Sequence, residues 1–130
     1  MKFAIQVDAS PYHAQAGASA YQFIKAALQQ GHEILRVFFY HDGVYHGFGS
    51  CHPPQDEPQP VALWSQLALD HGIDLVLCVS AAQRRGLLTP EQGAQLAAAM
   101  PPLAPGFRIA GLGMWVEACL RADRFLVFGG

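Results

Sequence analysis

The chain has 130 residues, enough for one domain with an ordinary buried core. Its 52% hydrophobic and 14% charged content argues against disorder, and the charged share falls below the about 25% typical of globular chains, as if part of the surface were covered by other subunits. A formal net charge of −2 argues against a protein that grips nucleic acid unaided, because phosphate binding needs clustered Lys and Arg.

In chain order, Phe3 to Val7 reads as a first strand; the apolar stretch behind Met1-Lys2 is too short for a signal peptide. Ala20, Phe23, Ile24, Ala27 and Leu28 recur at helical spacing, and Gly31 is placed as the C-terminal cap. Ile34 to Tyr40 is a second strand. His41 to Pro60 then holds three glycines, four prolines, three histidines and Cys51, which predicts a long surface excursion. Val61, Trp64, Leu67, Ala68 and His71 suggest a helix closed by Gly72, and the apolar run ending at Cys78 follows as a third strand. Thr89-Pro90-Glu91-Gln92 has the form of a helix start, with Thr89 as N-cap and Gln92 at the capping-box position. Phe107 to Ala110 is a short strand. Leu112, Trp115, Val116, Cys119 and Leu120 mark a helix with one buried stripe, and Arg124 to Phe128 is a final strand.

Strands separated by helices of this length imply right-handed crossovers and a parallel sheet. The expected fold is therefore α/β: a single three-layer α/β/α domain over residues 1–130 with a parallel sheet of about five strands. No run approaches the roughly 20 apolar residues of a membrane span. Cys51, Cys78 and Cys119 form no CxxC pair, and this odd, sparse set suits a reducing compartment, with the cytoplasm as the expected location.

Cys78 is the leading candidate for chemistry. It ends a strand and precedes Ser80-Ala81-Ala82-Gln83-Arg84-Arg85, so a following helical turn would set backbone N–H groups and positive charge beside the thiol and favour the reactive thiolate. Arg84 and Arg85 lie about 9–10 Å along a straight helix, so they would supply a field rather than a direct pair. The competing reading is a small buried thiol. Cys51, in the glycine- and proline-rich stretch, ranks second among the sulfurs, whereas Cys119 on an apolar helix stripe reads as core. His41, Asp42, His46, Cys51 and His52 have the residue types of a zinc site but none of its compact spacings, so no metal is expected. Gly111-Leu112-Gly113 resembles the start of a dinucleotide fingerprint, but Val116 stands at the third glycine position, leaving a tight strand-to-helix turn. Neither Ser10 nor Ser80 stands in a G-x-S-x-G elbow. Asp8 and Tyr12-His13 should lie on the same sheet edge as Cys78, where capping and loop roles fit Asp8 and Ser10 equally well.

Several segments together resemble the DsrE/TusD family of sulfur-carrier subunits. They are Met1-Lys2-Phe3-Ala4-Ile5, Gly31-His32-Glu33-Ile34, Val37-Phe38-Phe39-Tyr40, Asp42-Gly43-Val44-Tyr45, the stretch from Cys78 to Gly86, Gly111-Leu112-Gly113 and Ala122-Asp123-Arg124. The resemblance runs from end to end and implies a sulfurtransferase whose active cysteine is Cys78. It further implies a heterohexamer with two related small subunits, and small donor and acceptor carrier proteins as partners. Neither a metal nor an organic cofactor is implied, and the tRNA would be met only downstream. The relay would serve wobble-uridine 2-thiolation of tRNA, as in TusD, or dissimilatory sulfur oxidation, as in DsrE; Gln83 and Pro53-Pro54-Gln55-Asp56 look more like the DsrE branch. A non-catalytic scaffold subunit is the remaining alternative.

Overall fold

The computed structural model describes residues 1–49, 53–87 and 103–129. Five strands form one parallel sheet: β1 (Lys2–Val7), β2 (Glu33–Phe39), β3 (Leu75–Cys78), β4 (Phe107–Ala110) and β5 (Arg124–Phe128), in the order β4-β3-β2-β1-β5. The helices are α1 (Ala16–Gln29), α2 (Pro60–His71), α3 (Val79–Arg84) and α4 (Gly113–Arg121). The expected α/β architecture and all five strands are present. The helix expected from Thr89, together with Cys51 and His52, lies outside the described residues.

Local sequence explains where the main helices stop. α1 buries Gly17, Ala20, Ile24 and Ala27, a single stripe at helical spacing. It ends with Gly31 at φ +83°, where the N–H of Gly31 bonds the Leu28 carbonyl at 3.1 Å and that of His32 bonds Ala27 at 3.0 Å. This is a Schellman closure, which a left-handed glycine permits. α2 starts at Pro60, whose missing N–H costs nothing in the first turn, and ends at Gly72 in the left-handed region.

The chain adds β2, β3 and β4 successively to one side of β1, then returns across the sheet to place β5 on the other. Right-handed connections put α1 and α2 on one face and α4 on the opposite face. Ring contacts agree: Phe39 meets Trp64 of α2 on the first face, and Phe38 meets Trp115 of α4 on the second. Arg36, 8% exposed, anchors α4 by donating from Nη1 to the Met114 carbonyl at 2.8 Å while its Nε pairs with Asp74 at 2.6 Å. Arg108 forks onto the same carboxylate at 2.8 and 2.9 Å. The Arg108 hydrogen bond and, against the opposing pull of burial, Arg36 hold the Asp74 carboxyl below its usual range.

One expectation needs correction. The first part of His41 to Pro60 is not a surface excursion: His41–Gly47 is a 3-10 turn whose Gly43, Val44, His46 and Gly47 are buried. Its glycines serve close packing. A Cβ on Gly47 would come within 2.6 Å of Leu77 Cδ1 and 2.9 Å of Phe107 Cδ1, and one on Gly43 would overlap the Val7 carbonyl oxygen. In the later part Pro54 to Pro58 face solvent. No helix among the described residues is long and apolar enough to cross a membrane.

Candidate active site

Cys78 is the last residue of β3 and the N-cap of α3, with φ −62° and ψ 123°. Its side chain follows from strand parity, since paired residues in a parallel sheet share a face and successive residues alternate. Cys78 pairs with Ala110 of β4. Phe39 pairs with Leu77 and with Val7, so Tyr40 stands beside Cys78 and Asp8 beside Tyr40. Asp8, Tyr40, Cys78 and Ala110 therefore form a row across the carboxyl edge, on the face that carries α4.

This edge is also where the chain parts. From β3 it enters α3, which packs against the 3-10 turn, and the turn lies on the α1/α2 side through Gly47. From β4 it turns to α4 on the other face. Ligands of open parallel sheets gather where neighbouring strand ends diverge in this way.

The flanks of Cys78 are unequal. Tyr40 forms a fixed wall: its ring stacks on Phe38 at 6.1 Å and meets the His41 ring at 4.2 Å. His41 adopts φ +50°, a left-handed conformation uncommon for a residue with a Cβ. On the other flank, among the described residues, stands the methyl group of Ala110. Cys78 is a free cysteine and buried, with 5% of the residue exposed. Val79, Ser80 and Ala81 open α3 directly after it, and the Cys78 sulfur caps none of their N–H groups.

Arg84 and Arg85 lie at the far end of the six-residue α3. Arg85 is committed elsewhere: Nε and Nη2 reach Asp42 Oδ1 at 2.9 Å, and Nη1 donates to the Ala81 carbonyl at 3.0 Å. That pairing fastens α3 to the 3-10 turn and offsets much of the Arg85 charge. Arg84 is exposed and makes no ion pair among the described residues.

The other candidates disperse. Cys119 is half-buried on α4, and burial pushes its thiol pKa up, away from thiolate. His41 is exposed against Tyr40, whereas His46 is buried between Phe39 and Trp64, so these two do not converge on a metal. Ser10 accepts from the Tyr12 N–H at 3.3 Å in a local turn. Asp8 accepts from Gln6 Nε2 at 2.7 Å. Tyr12 lines a cleft of about 500 Å³ between α1 and α2, shared with Tyr21, His46 and Trp64; Cys78 does not line it.

Sequence reasoning did not find Tyr40 or Ala110 as neighbours of the thiol. The signal for both was strand parity combined with register, and register is set by pairing between distant segments. It also missed the buried imidazole. The Ala9 carbonyl can only accept, so His46 Nε2 must carry the proton in their 3.2 Å contact. Nδ1 is left as a buried acceptor with no partner among the described residues. Desolvation, partly offset by that hydrogen bond, lowers the His46 pKa from 6.5 to about 4.

With the thiol placed at the diverging strand ends, comparison with known proteins is informative. Residues 1–128 match the DsrE/DsrF-like family. The chain belongs to that family. It is 50% identical over 129 residues, 99% of both chains, to a protein of Allochromatium vinosum named "Putative sulfurtransferase DsrE". The fold matches the crystal structure of the ychN protein from E. coli with a TM-score of 0.77, 21% identity and coverage of 98% of this chain and 99% of that one. The Allochromatium relative carries the functional information; the E. coli structure bears on the fold alone.

Proposed function

We propose that this DsrE-like chain is a sulfurtransferase subunit that carries persulfide sulfur on Cys78. The observation that carries the reading is the position of a free cysteine at the diverging ends of β3 and β4, at the start of a helical turn. The 50% identity to a protein named a sulfurtransferase supports the same chemistry.

In the first step Cys78 Sγ, as thiolate, attacks the outer sulfur of a donor persulfide R–S–SH. A new sulfur–sulfur bond forms, the donor's own sulfur–sulfur bond breaks, and R–S⁻ leaves while Cys78 becomes Cys78–S–SH. In the second step an acceptor thiolate attacks the outer sulfur of Cys78–S–SH and returns Cys78 as thiolate. Both steps are exchanges with no net oxidation, so neither needs a cofactor. In both steps the reacting sulfur belongs to the N-cap residue of α3. Arg84 adds positive charge at the far end of α3, and Arg85 acts chiefly by fixing that helix.

The identity to the Allochromatium protein favours a DsrE-type relay in sulfur oxidation over TusD-type tRNA thiolation. The exposed Leu112, Val116, Leu120, Phe125 and Val127 suit contacts with related subunits, as in a heterohexamer. Incubation with a persulfide donor, followed by peptide mass spectrometry, tests the central claim. One reductant-labile sulfur on the Cys78 peptide, absent from Cys78→Ser, is the expected result. Sulfur found only on Cys51 or Cys119 would move the site. An unloaded but assembled complex would make the chain a scaffold.

A further inference from the structure

His46 is the only buried histidine among the described residues, at 1% exposed, and the sulfur chemistry does not use it. Its Nε2 donates to the Ala9 carbonyl at 3.2 Å, while Nδ1 has no partner among the described residues. Burial holds the ring neutral near pH 7, with a pKa of about 4, so Nδ1 is an acceptor. A buried acceptor left without a donor is costly, and a ligand that supplies one gains accordingly.

The same imidazole lines the cleft of about 500 Å³ between α1 and α2, a volume within the range of small-molecule sites. Gly17 of α1, also in the lining, explains how the ring gets there. Gly17 has no positive φ, and glycine is otherwise disfavoured in a helix. A Cβ on it would come within 2.5 Å of His46 Cε1, 2.6 Å of Nε2 and 3.7 Å of Nδ1. The missing side chain thus lets the ring edge that holds both nitrogens come up to the helix wall, where both residues line the cleft.

The rest of the lining is mostly apolar. Trp64, itself 1% exposed, meets Tyr21 edge-on at 5.6 Å and His46 at 5.9 Å, and the exposed Leu63 lies nearer the mouth. Among the described residues Glu57 is the only charged side chain in the lining, so an anion would meet a carboxylate and no cation. The loop that carries Glu57 is tied down. Gln59 Nε2 donates to the carbonyls of Pro53 at 3.2 Å, Pro54 at 3.0 Å and Glu57 at 3.2 Å. A cleft with fixed walls, an apolar lining and one converging polar group has the form of a ligand site.

We propose that this cleft binds a small, flat aromatic molecule, neutral or cationic, that lies against Trp64 and Tyr21 and donates an N–H or O–H hydrogen bond to His46 Nδ1. Cys78 does not line the cleft, so the site is a second one and does not depend on the carrier role.

The test is isothermal titration calorimetry of the full chain with indole and with benzofuran, a molecule of the same shape in which an ether oxygen replaces the N–H. Benzofuran is expected to bind roughly tenfold more weakly than indole, because it leaves the buried Nδ1 without a donor. Ala18 is exposed on α1 and lines the cleft, so Ala18→Phe fills the space while leaving the fold intact, which thermal unfolding checks. That variant is expected to lose both ligands. Failure of indole to bind the wild-type chain would overturn the proposal. Equal affinity for the two molecules would do the same, because Nδ1 would then play no part in recognition. Indole binding retained by a folded Ala18→Phe would place the ligand elsewhere on the chain, and the cleft would be ruled out.

Discussion

On the α1/α2 face of the sheet, rings fill the space between layers: Phe39 meets Trp64 edge-on at 5.2 Å, His46 at 5.3 Å and Phe107 at 5.4 Å. The opposite face carries α4 alone among the described residues, over β1 and β2, with Val116, Leu120, Phe125 and Val127 left exposed. Cys78 belongs to the second face, and the buried histidine to the first. Close packing makes the first face intolerant of change, because a filled interior transmits every added atom to its neighbours. The second face leaves more of its helix and strand surface uncovered, although Cys78 itself is buried. Strand parity thus assigns Leu77 to the packed face and Cys78 to the open one, one residue apart.

The largest effect that would expose this division is Gly43→Ala. The new Cβ would overlap the Val7 carbonyl oxygen, which belongs to the central sheet and cannot rotate away as a side chain would. A loss of about 3 kcal/mol is expected, at the upper end for overpacking. It would be measured as a lower urea midpoint with an unchanged slope. A shift too small to measure would mean that the 3-10 turn is not seated on β1.

Acid should probe the same face next. In the unfolded chain His46 takes up a proton near pH 6.5, whereas burial lowers its folded pKa to about 4. Between those values the unfolded state binds more protons, so stability rises with pH and is lost on going down from about 6.5 to about 4. The full shift corresponds to about 3 kcal/mol, realised only at the acid end of the window. Asp74, held down by Arg108 and Arg36, also loses its contribution in acid, but starting from its ordinary value of 3.8. The two windows barely overlap. His46→Phe should therefore flatten the stability profile between pH 6.5 and 4 while lowering stability at pH 7, because the buried Ala9 carbonyl loses its donor. A profile of unchanged slope in the variant would assign the acid sensitivity to other groups.

The strands were readable because each is a short apolar run bounded by turn residues, and the place of Cys78 followed from standing at the end of one of them. Helix ends at Gly31 and Gly72 were readable for the same local reason. The seating of His41 to Gly47 was not. Glycine and histidine in a proline-rich stretch have the composition of a loop, and only the distant Leu77, Phe107 and Gly17 give these residues a reason to be small or buried. The commitment of Arg85 to Asp42, 43 residues away, was hidden likewise, and it turned an expected source of field into a fastener. Tyr40 and Ala110 became neighbours of the thiol only once register was known.

The smallest expected change in stability comes from the open face, and it completes the comparison. Leu120 is 82% exposed on α4, so Leu120→Lys removes no buried contact within the chain. Substitution at such a site should alter unfolding free energy by no more than about 0.5 kcal/mol. If this face receives related subunits, the same substitution places a charge in an apolar contact, where burying it unpaired is costly. The expected outcome is a chain of unchanged thermal stability that no longer assembles, measured by sedimentation velocity beside wild type. Assembly retained at wild-type strength would remove this face from the subunit contacts. A stability loss as large as that of Gly43→Ala would show that the two faces are not divided at all, because Leu120 would then be supporting the fold from a position with almost nothing packed against it.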